Sequence, residues 1–247
     1  TQVIPVKEQM VLDGTFPTVK SPNPENPEGF YLAVDLAKEV GSDLILGTDP
    51  DSDRVGVMVR GADGEYHTIT GNQMGVLLLD YIITARRRKG TLPENAAAIS
   101  TIVTSKMVRR ICDVNNIHFD ETLAFEESYG YMMGDYVRDK DAVTACVMIT
   151  EMAAYYFEQG MTLAQALDAL YEKYGFYGER TLNLVMPGLD GLEKMRALMA
   201  QLRREPLQEI AGTKVVRMRD YQDGSVYVMG LGKMDKTPIS GSNVLYF

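Results

Sequence analysis

Residues 46–54 read Leu-Gly-Thr-Asp-Pro-Asp-Ser-Asp-Arg and continue the apolar pair Leu44-Ile45. An apolar run that breaks into Asp, Pro and Ser is a strand ending in a tight loop. Asp49, Asp51 and Asp53 occupy every second position of that loop, so three carboxylates crowd one turn. Their mutual repulsion is relieved when a cation sits between them, and hard oxygen ligands suit Mg²⁺ or Ca²⁺. Arg54 follows at once, and its planar fork matches two oxygens of a phosphate. A hard cation beside a phosphate-gripping arginine is equipment for phosphoryl transfer.

Three other readings compete with this one. A solvated acidic turn would use the same residue types but has no reason to alternate Asp so strictly. A calcium EF-hand starting at Asp49 needs Gly at its sixth position and Glu at its twelfth, where this chain has Arg54 and Arg60. An aspartyl phosphatase would use Asp49 as a nucleophile, with Gly134-Asp135 and Asp139 as its second acidic element. Its loop usually carries Thr or Val where this chain has a third carboxylate, Asp53.

The composition of the 247 residues, 45% hydrophobic and 24% charged, describes a globular chain long enough for one large domain or two smaller ones. A formal charge of −9 excludes a general nucleic-acid binder, which needs a basic face. The basic run Arg86-Arg87-Arg88-Lys89 is read as a cap on the negative end of a preceding helix. Cys112 and Cys146 are too few for a disulfide framework and suit a reducing cytoplasm. No stretch has the length and apolarity to span a membrane, and no secretory signal opens the chain.

Along the chain, Ser21-Pro-Asn-Pro-Glu-Asn-Pro-Glu28 is too rich in Pro and Asn for a helix or central strand and reads as a linker. Helical patterns follow over 29–40, 72–83, 106–115, 141–157 and 162–174, the last opened by a Thr162/Gln165 capping box. The 141–157 segment is apolar almost all round, which predicts a buried helix. Strand patterns occupy 44–46, 55–59 and 96–104. Thr104 and Ser105 fit a helix N-cap, Gly71-Asn72-Gln73 a helix entry, and His67 and His118 structural or surface positions. Alternating strands and helices predict an α/β fold, a three-layer α/β/α domain with a largely parallel sheet. After Gly178 the pattern changes to part of a small α+β C-terminal domain, with strands at 181–185, 214–218 and 242–247 and a helix capped by Asp190 and Glu193.

Taken together, five motifs resemble the α-D-phosphohexomutase family, within it the branch of phosphoglucomutase 2 and the bacterial phosphoglucomutases. They are Asp13-Gly-Thr-Phe-Pro-Thr18 with Asn23-Pro-Glu-Asn-Pro-Glu28, Thr48 to Arg54, Thr70-Gly-Asn-Gln73, Phe125-Glu-Glu-Ser-Tyr-Gly130 and Arg138-Asp-Lys-Asp141. They stand in the family's order and span nearly the whole chain. The resemblance implies four domains around a cleft, of which this chain carries the central and C-terminal part: the tail of domain 2 and a linker in 1–22, domain 3 in 23–177 and an incomplete domain 4 in 178–247. Domain 1 and most of domain 2 belong to the parent chain.

The resemblance also implies a reaction. The family moves a phosphoryl group between C1 and C6 of a hexose phosphate through a phosphoserine and a hexose 1,6-bisphosphate intermediate, with Mg²⁺ as cofactor. Asp49, Asp51 and Asp53 match the metal ligands, and Arg54 the arginine that stabilises the transferring group. Glu126 and Ser128 match the positions that hold the sugar's O3 and O4 hydroxyls. Lys140 matches the lysine facing the reacting oxygens, as general acid or electrostatic stabiliser, where chemistry alone would also allow an ion pair with Asp139 or Asp141. The partners implied are small sugar phosphates, with no nucleic acid and no membrane, in the cytoplasm.

Two departures from the family pattern bear on activity. Neither a Thr-Ala-Ser-His phosphoserine loop nor an Arg-Pro-Ser-Gly-Thr phosphate clamp occurs. Leu123 also runs straight into Ala124, where the family has a Thr-Gly-Phe-Lys segment. The expected function is thus a portion of a hexose-phosphate mutase, glucose being the expected sugar and the isolated chain being inactive. The alternatives are the Mg²⁺-dependent aspartyl phosphatase and a non-catalytic sugar-phosphate-binding domain.

Overall fold

In a computed structural model the described residues are 1–120, 128–132, 139–180, 182, 184–188 and 190–247. They form two compact units, Thr1–Glu179 and Arg180–Phe247.

The first unit is built on a three-stranded sheet of β1 (Leu44–Thr48), β2 (Val55–Arg60) and β3 (Tyr66–Ile69). Side chains alternate across β2. Val55, Val57 and Val59 enter one core, while Met58 joins Ile45 and Tyr66 in another. Helix α1 (Tyr31–Val40) supplies Ala37 to the smaller core. The larger core is filled from α2 (Gly71–Arg88), α3 (Met107–Asn115), α4 (Ala142–Phe157) and α5 (Leu163–Tyr174). A sheet carrying helices on both faces is the three-layer α/β/α arrangement expected.

The strand directions are not those expected. β1 pairs with β2, and β2 with β3, antiparallel throughout. The reason is connection length: residues 49–54 join the first pair and 61–65 the second, both far too short for a parallel crossover. Parallel pairing is found between β4 (Ala97–Ile99) and β5 (His118–Asp120), which flank α3. The strand expected over 96–104 is therefore only three residues long. It gives way to a turn in which Thr104 Oγ1 accepts from the Thr101 N–H, and Ser105 Oγ accepts from the Met107 N–H at the start of α3.

The helix ends follow the local chemistry. Thr70 and Gln73 form a reciprocal capping box at the entry of α2, and Thr162 and Gln165 form another at α5. Asp141 caps α4 by accepting from the Val143 N–H at 2.9 Å. The basic run closes α2, where Arg87 also reaches the Asn115 side chain at 2.7 Å. Helix α4 departs from its expected burial. Its Ala142, Ala145, Ile149 and Met152 are buried, but Val143, Val147 and Phe157 stand exposed along the opposite side. Apolar composition all round a helix does not decide which of its faces finds a neighbour.

The segment read as a linker is docked on the β1–β2 hairpin instead. Pro27 opens a short 3₁₀ turn that runs into α1, which suits its fixed φ and missing N–H. Phe30 is buried against Ala37, Ile45 and Met58.

The second unit holds α6 (Gly191–Arg204), a two-residue hairpin of β6 (Glu209–Ile210) and β7 (Thr213–Lys214), and a sheet of β8 (Arg217–Asp220), β9 (Ser225–Val228), β10 (Gly232–Lys236) and β11 (Leu245–Tyr246) in the order β10-β9-β8-β11. Arg203 grips Asp220 through two hydrogen bonds, of 2.8 and 3.2 Å, tying α6 to β8. No strand forms among the described residues of 181–185. Among the described residues no helix is long and apolar enough to cross a membrane.

Candidate functional site

The acidic loop is the turn of the β1–β2 hairpin, and its shape is set by its own first residue. Asp49 Oδ1 accepts from the N–H groups of Asp53, at 3.2 Å, and Arg54, at 3.0 Å. Its carbonyl accepts from the Ser52 N–H. Ser52 takes a left-handed backbone with φ 56°, which turns the chain back toward β2. Pro50 and Asp51 are left at the exposed tip.

Two further segments hold the loop in place. The Ser52 carbonyl accepts from the Ala142 N–H at the first turn of α4, at 2.9 Å. The 128–132 segment runs alongside: Val55 N–H donates to the Tyr129 carbonyl, Arg54 bridges Gly130, and Asp141 N–H donates to the Tyr131 carbonyl. Tyr129 has φ 70°, an unusual strain for a bulky residue and one placed directly beside the loop.

The structure brings the three aspartates together. One carboxylate oxygen from each of Asp49, Asp51 and Asp53 lies within 4.8 Å of the others. Octahedral Mg²⁺ holds oxygens at about 2.1 Å, so its ligands stand roughly 3 to 4 Å apart. Small side-chain adjustments therefore suit the three to one cation, with water completing the shell. The electrostatics point the same way. Burial pushes the Asp49 carboxyl up to about 6, relieved by the Arg54 N–H and reinforced by the charges of Asp53 and Asp51. Asp53 is held below its usual range, first by Lys140.

Both expected cationic residues flank this cluster. Lys140 Nζ pairs with Asp53 Oδ2 at 2.9 Å. Arg54 Nε lies 3.8 Å from Asp53 and 3.9 Å from Asp49, is buried, and has no hydrogen-bond partner among the described residues. Ser128 is half-buried at the start of the segment that bridges Arg54. Glu126 lies outside the described residues, as does the Leu123–Ala124 junction.

Two residues that the sequence reading did not single out help to build the site. A β-carbon on Gly130 would overlap the stem of Lys140, so a glycine here lets that side chain reach Asp53. Glu25, in the supposed linker, places Oε1 3.5 Å from Arg54 Nη1. Of the other candidates, His67 pairs with Asp63 at the surface, and Asn72 Oδ1 accepts from the Ser105 N–H.

The fold and this loop define an α/β protein with a cluster of three carboxylates that could hold a metal ion, flanked by two cationic side chains. Comparison with known proteins then gives the family. Residues 1–64 match the profile of the phosphoglucomutase/phosphomannomutase alpha/beta/alpha domain II, and residues 120–174 that of domain III. The domain II match takes in the acidic loop and extends past residue 22, where that domain's tail was expected to end. Phosphoglucomutases of Staphylococcus aureus, among them those of strains bovine RF122 and USA300, are 33% identical over 97% of this chain. The chain spans about half, 47%, of their length. A phosphoglucomutase/phosphomannomutase family protein of Burkholderia thailandensis shares the fold, with a TM-score of 0.52 at 17% identity, over 92% of this chain and 44% of that one. The chain belongs to the α-D-phosphohexomutase family, a family of isomerases that transfer phosphoryl groups.

Proposed function

We propose that this chain is the central and C-terminal part of a mutase that interconverts hexose 1-phosphate and hexose 6-phosphate, with glucose as the sugar. The observation that carries the reading is the meeting of Asp49, Asp51 and Asp53 within 4.8 Å beside Arg54 and Lys140. The 33% identity to phosphoglucomutases supports the choice of sugar, and none of the relatives named above is an aspartyl phosphatase.

In this reading the three aspartates hold Mg²⁺, which supplies charge neutralisation for a phosphoryl group in transit. Arg54 offers donors to the phosphoryl oxygens, whose charge grows most diffuse midway through transfer. Lys140, held by Asp53 at the rim of the loop, supplies positive charge and a proton to the sugar oxygen from which the phosphoryl group departs. Glu126 and Ser128 orient the ring by accepting from, and donating to, its hydroxyls. The phosphoryl group passes through a phosphoserine and a hexose 1,6-bisphosphate, and the phosphoserine lies on a part of the polypeptide outside these residues. The two thiols support a cytoplasmic setting; both are free, and burial pushes each up to about 11.

Glu126→Gln in the full-length polypeptide tests the sugar-binding half of the proposal. Losing one buried partner to a hydroxyl costs about 1–3 kcal/mol, or roughly 5- to 150-fold in kcat/KM. Metal affinity should hardly move, because the acidic loop is a separate turn. Wild-type kinetics on hexose phosphates in that variant would remove Glu126 from the site.

A further inference from the structure

The turn at 23–26 and the β1–β2 hairpin meet at a pair of glycines. Gly47 and Gly56 are cross-strand partners. A β-carbon on Gly56 would stand 2.6 Å from the Pro24 carbonyl oxygen and 2.8 Å from the Phe30 ring; one on Gly47 would stand 2.8 Å from the same ring. Two bare positions side by side thus make a notch in the sheet, and buried Pro24 and Phe30 fill it. The turn is closed within itself: Asn26 N–H donates to the Asn23 carbonyl, and Glu25 N–H to Asn23 Oδ1 at 2.9 Å. This docking delivers the Glu25 carboxylate to Arg54, with Oε1 3.5 Å from Nη1.

Arg54 is surrounded by three carboxylates of different kinds. Asp49 and Asp53 belong to the cation site, and a cation there competes with Arg54 for their charge. Glu25 sits on another segment and is not one of the grouped aspartates. It also contacts a particular edge of the guanidinium. Arg203 shows how the Nε/Nη2 edge takes a two-oxygen anion, with both bonds on Asp220. On Arg54 the Glu25 contact is at Nη1, while Nε faces Asp53 and Asp49 at 3.8 and 3.9 Å without a hydrogen bond to either.

We infer that Glu25 is a positioning residue for Arg54: it anchors Nη1 from outside the cation site and so holds the guanidinium beside the acidic loop, in place for a phosphoryl group. The inference rests on the phosphoryl-transfer reading of Arg54 given above. Glu25 itself touches neither cation nor substrate. Its place in the chain, a Pro- and Asn-rich turn held by a glycine notch, is a rigid mount rather than a tether.

The test uses this chain with inorganic phosphate and Mn²⁺ as probes. Glu25→Ala and Glu25→Gln leave the Asn23 turn contacts intact, because those use main-chain N–H groups. Glu25→Ala should weaken phosphate binding about five- to tenfold at saturating Mn²⁺, with Glu25→Gln intermediate and Mn²⁺ affinity within about twofold of wild type in both. In the Arg54→Ala background, Glu25→Ala should add no further loss, since the two residues act as one. The separate Nη resonances of Arg54 should merge in Glu25→Ala as the guanidinium begins to rotate freely.

Unchanged phosphate binding in Glu25→Ala, with a clear loss in Arg54→Ala, overturns the inference and leaves the proposed function standing. Additive losses in the double variant, or an equal loss of Mn²⁺ affinity, also overturn it, since Glu25 would then be supporting the fold or the metal. No loss in Arg54→Ala itself would overturn the phosphoryl-transfer reading and the inference with it.

Discussion

Arg54→Ala in the full-length polypeptide is expected to lower kcat for hexose-phosphate interconversion by about 10²–10³-fold, the usual cost of losing one pre-set donor at a developing charge. The residue is already held for the task before any ligand arrives. Its main chain bridges Gly130, its Nη1 meets Glu25, and its Nε is buried without a hydrogen-bond partner among the described residues. The loss should fall on kcat and kcat/KM alike, because the interaction strengthens in the transition state. Arg54→Lys should recover little, since a point charge cannot reproduce a two-pronged grip. Steady-state kinetics with a dehydrogenase-coupled assay decide the matter. A fall in affinity alone, with kcat intact, would make Arg54 a substrate-binding residue only.

The 247-residue chain by itself is expected to show no measurable conversion of glucose 1-phosphate to glucose 6-phosphate, even with Mg²⁺ and a hexose bisphosphate present. Its sequence has no Thr-Ala-Ser-His loop to carry the phosphoryl group and no Arg-Pro-Ser-Gly-Thr clamp to hold the phosphate that does not react. Positioning and charge neutralisation supply nearly all the rate of phosphoryl transfer. Half the machinery therefore does not give half the rate. The acidic loop should still form, because its contacts to the 128–132 segment and α4 lie inside one compact unit with its own core. Turnover that follows the purified chain and vanishes in Asp49→Ala would mean that this chain holds a complete active site of another design.

The acidic loop was legible because its chemistry is local. An apolar run, alternating carboxylates and an adjacent arginine lie within a dozen residues, and no distant partner is needed to bring them together. The capping boxes of α2 and α5 were legible for the same reason. Sheet direction was misread, although the short loop 49–54 between two expected strands already forbids a parallel crossover, and the third strand, Tyr66–Ile69, was not read from the sequence. The alternation of strand and helix further along the chain outweighed that local signal.

Other features depend on packing between distant segments. Residues 21–28 look like a linker by composition, and only the Gly47–Gly56 pairing turns them into a docked turn that delivers Glu25. Lys140 has acidic neighbours on both sides in sequence, yet its ammonium reaches Asp53, because Gly130 clears the path for its stem. The exposed Val143, Val147 and Phe157 of α4 show the limit of periodicity, which reports an apolar face without saying what meets it.

The proposed function depends on the three aspartates holding one divalent cation, and cation titration of the chain tests this directly. Asp51 is the residue to change, because it is exposed at the loop tip while Asp49 and Asp53 also shape the turn. Calorimetry with Mg²⁺, or Mn²⁺ followed by electron paramagnetic resonance, should show a single weak site, since Mg²⁺ keeps several waters and three carboxylates form a modest cage. In Asp51→Ala that site should disappear while the thermal midpoint stays put. Cation binding of undiminished strength in Asp51→Ala would contradict the assignment of the loop as the metal centre.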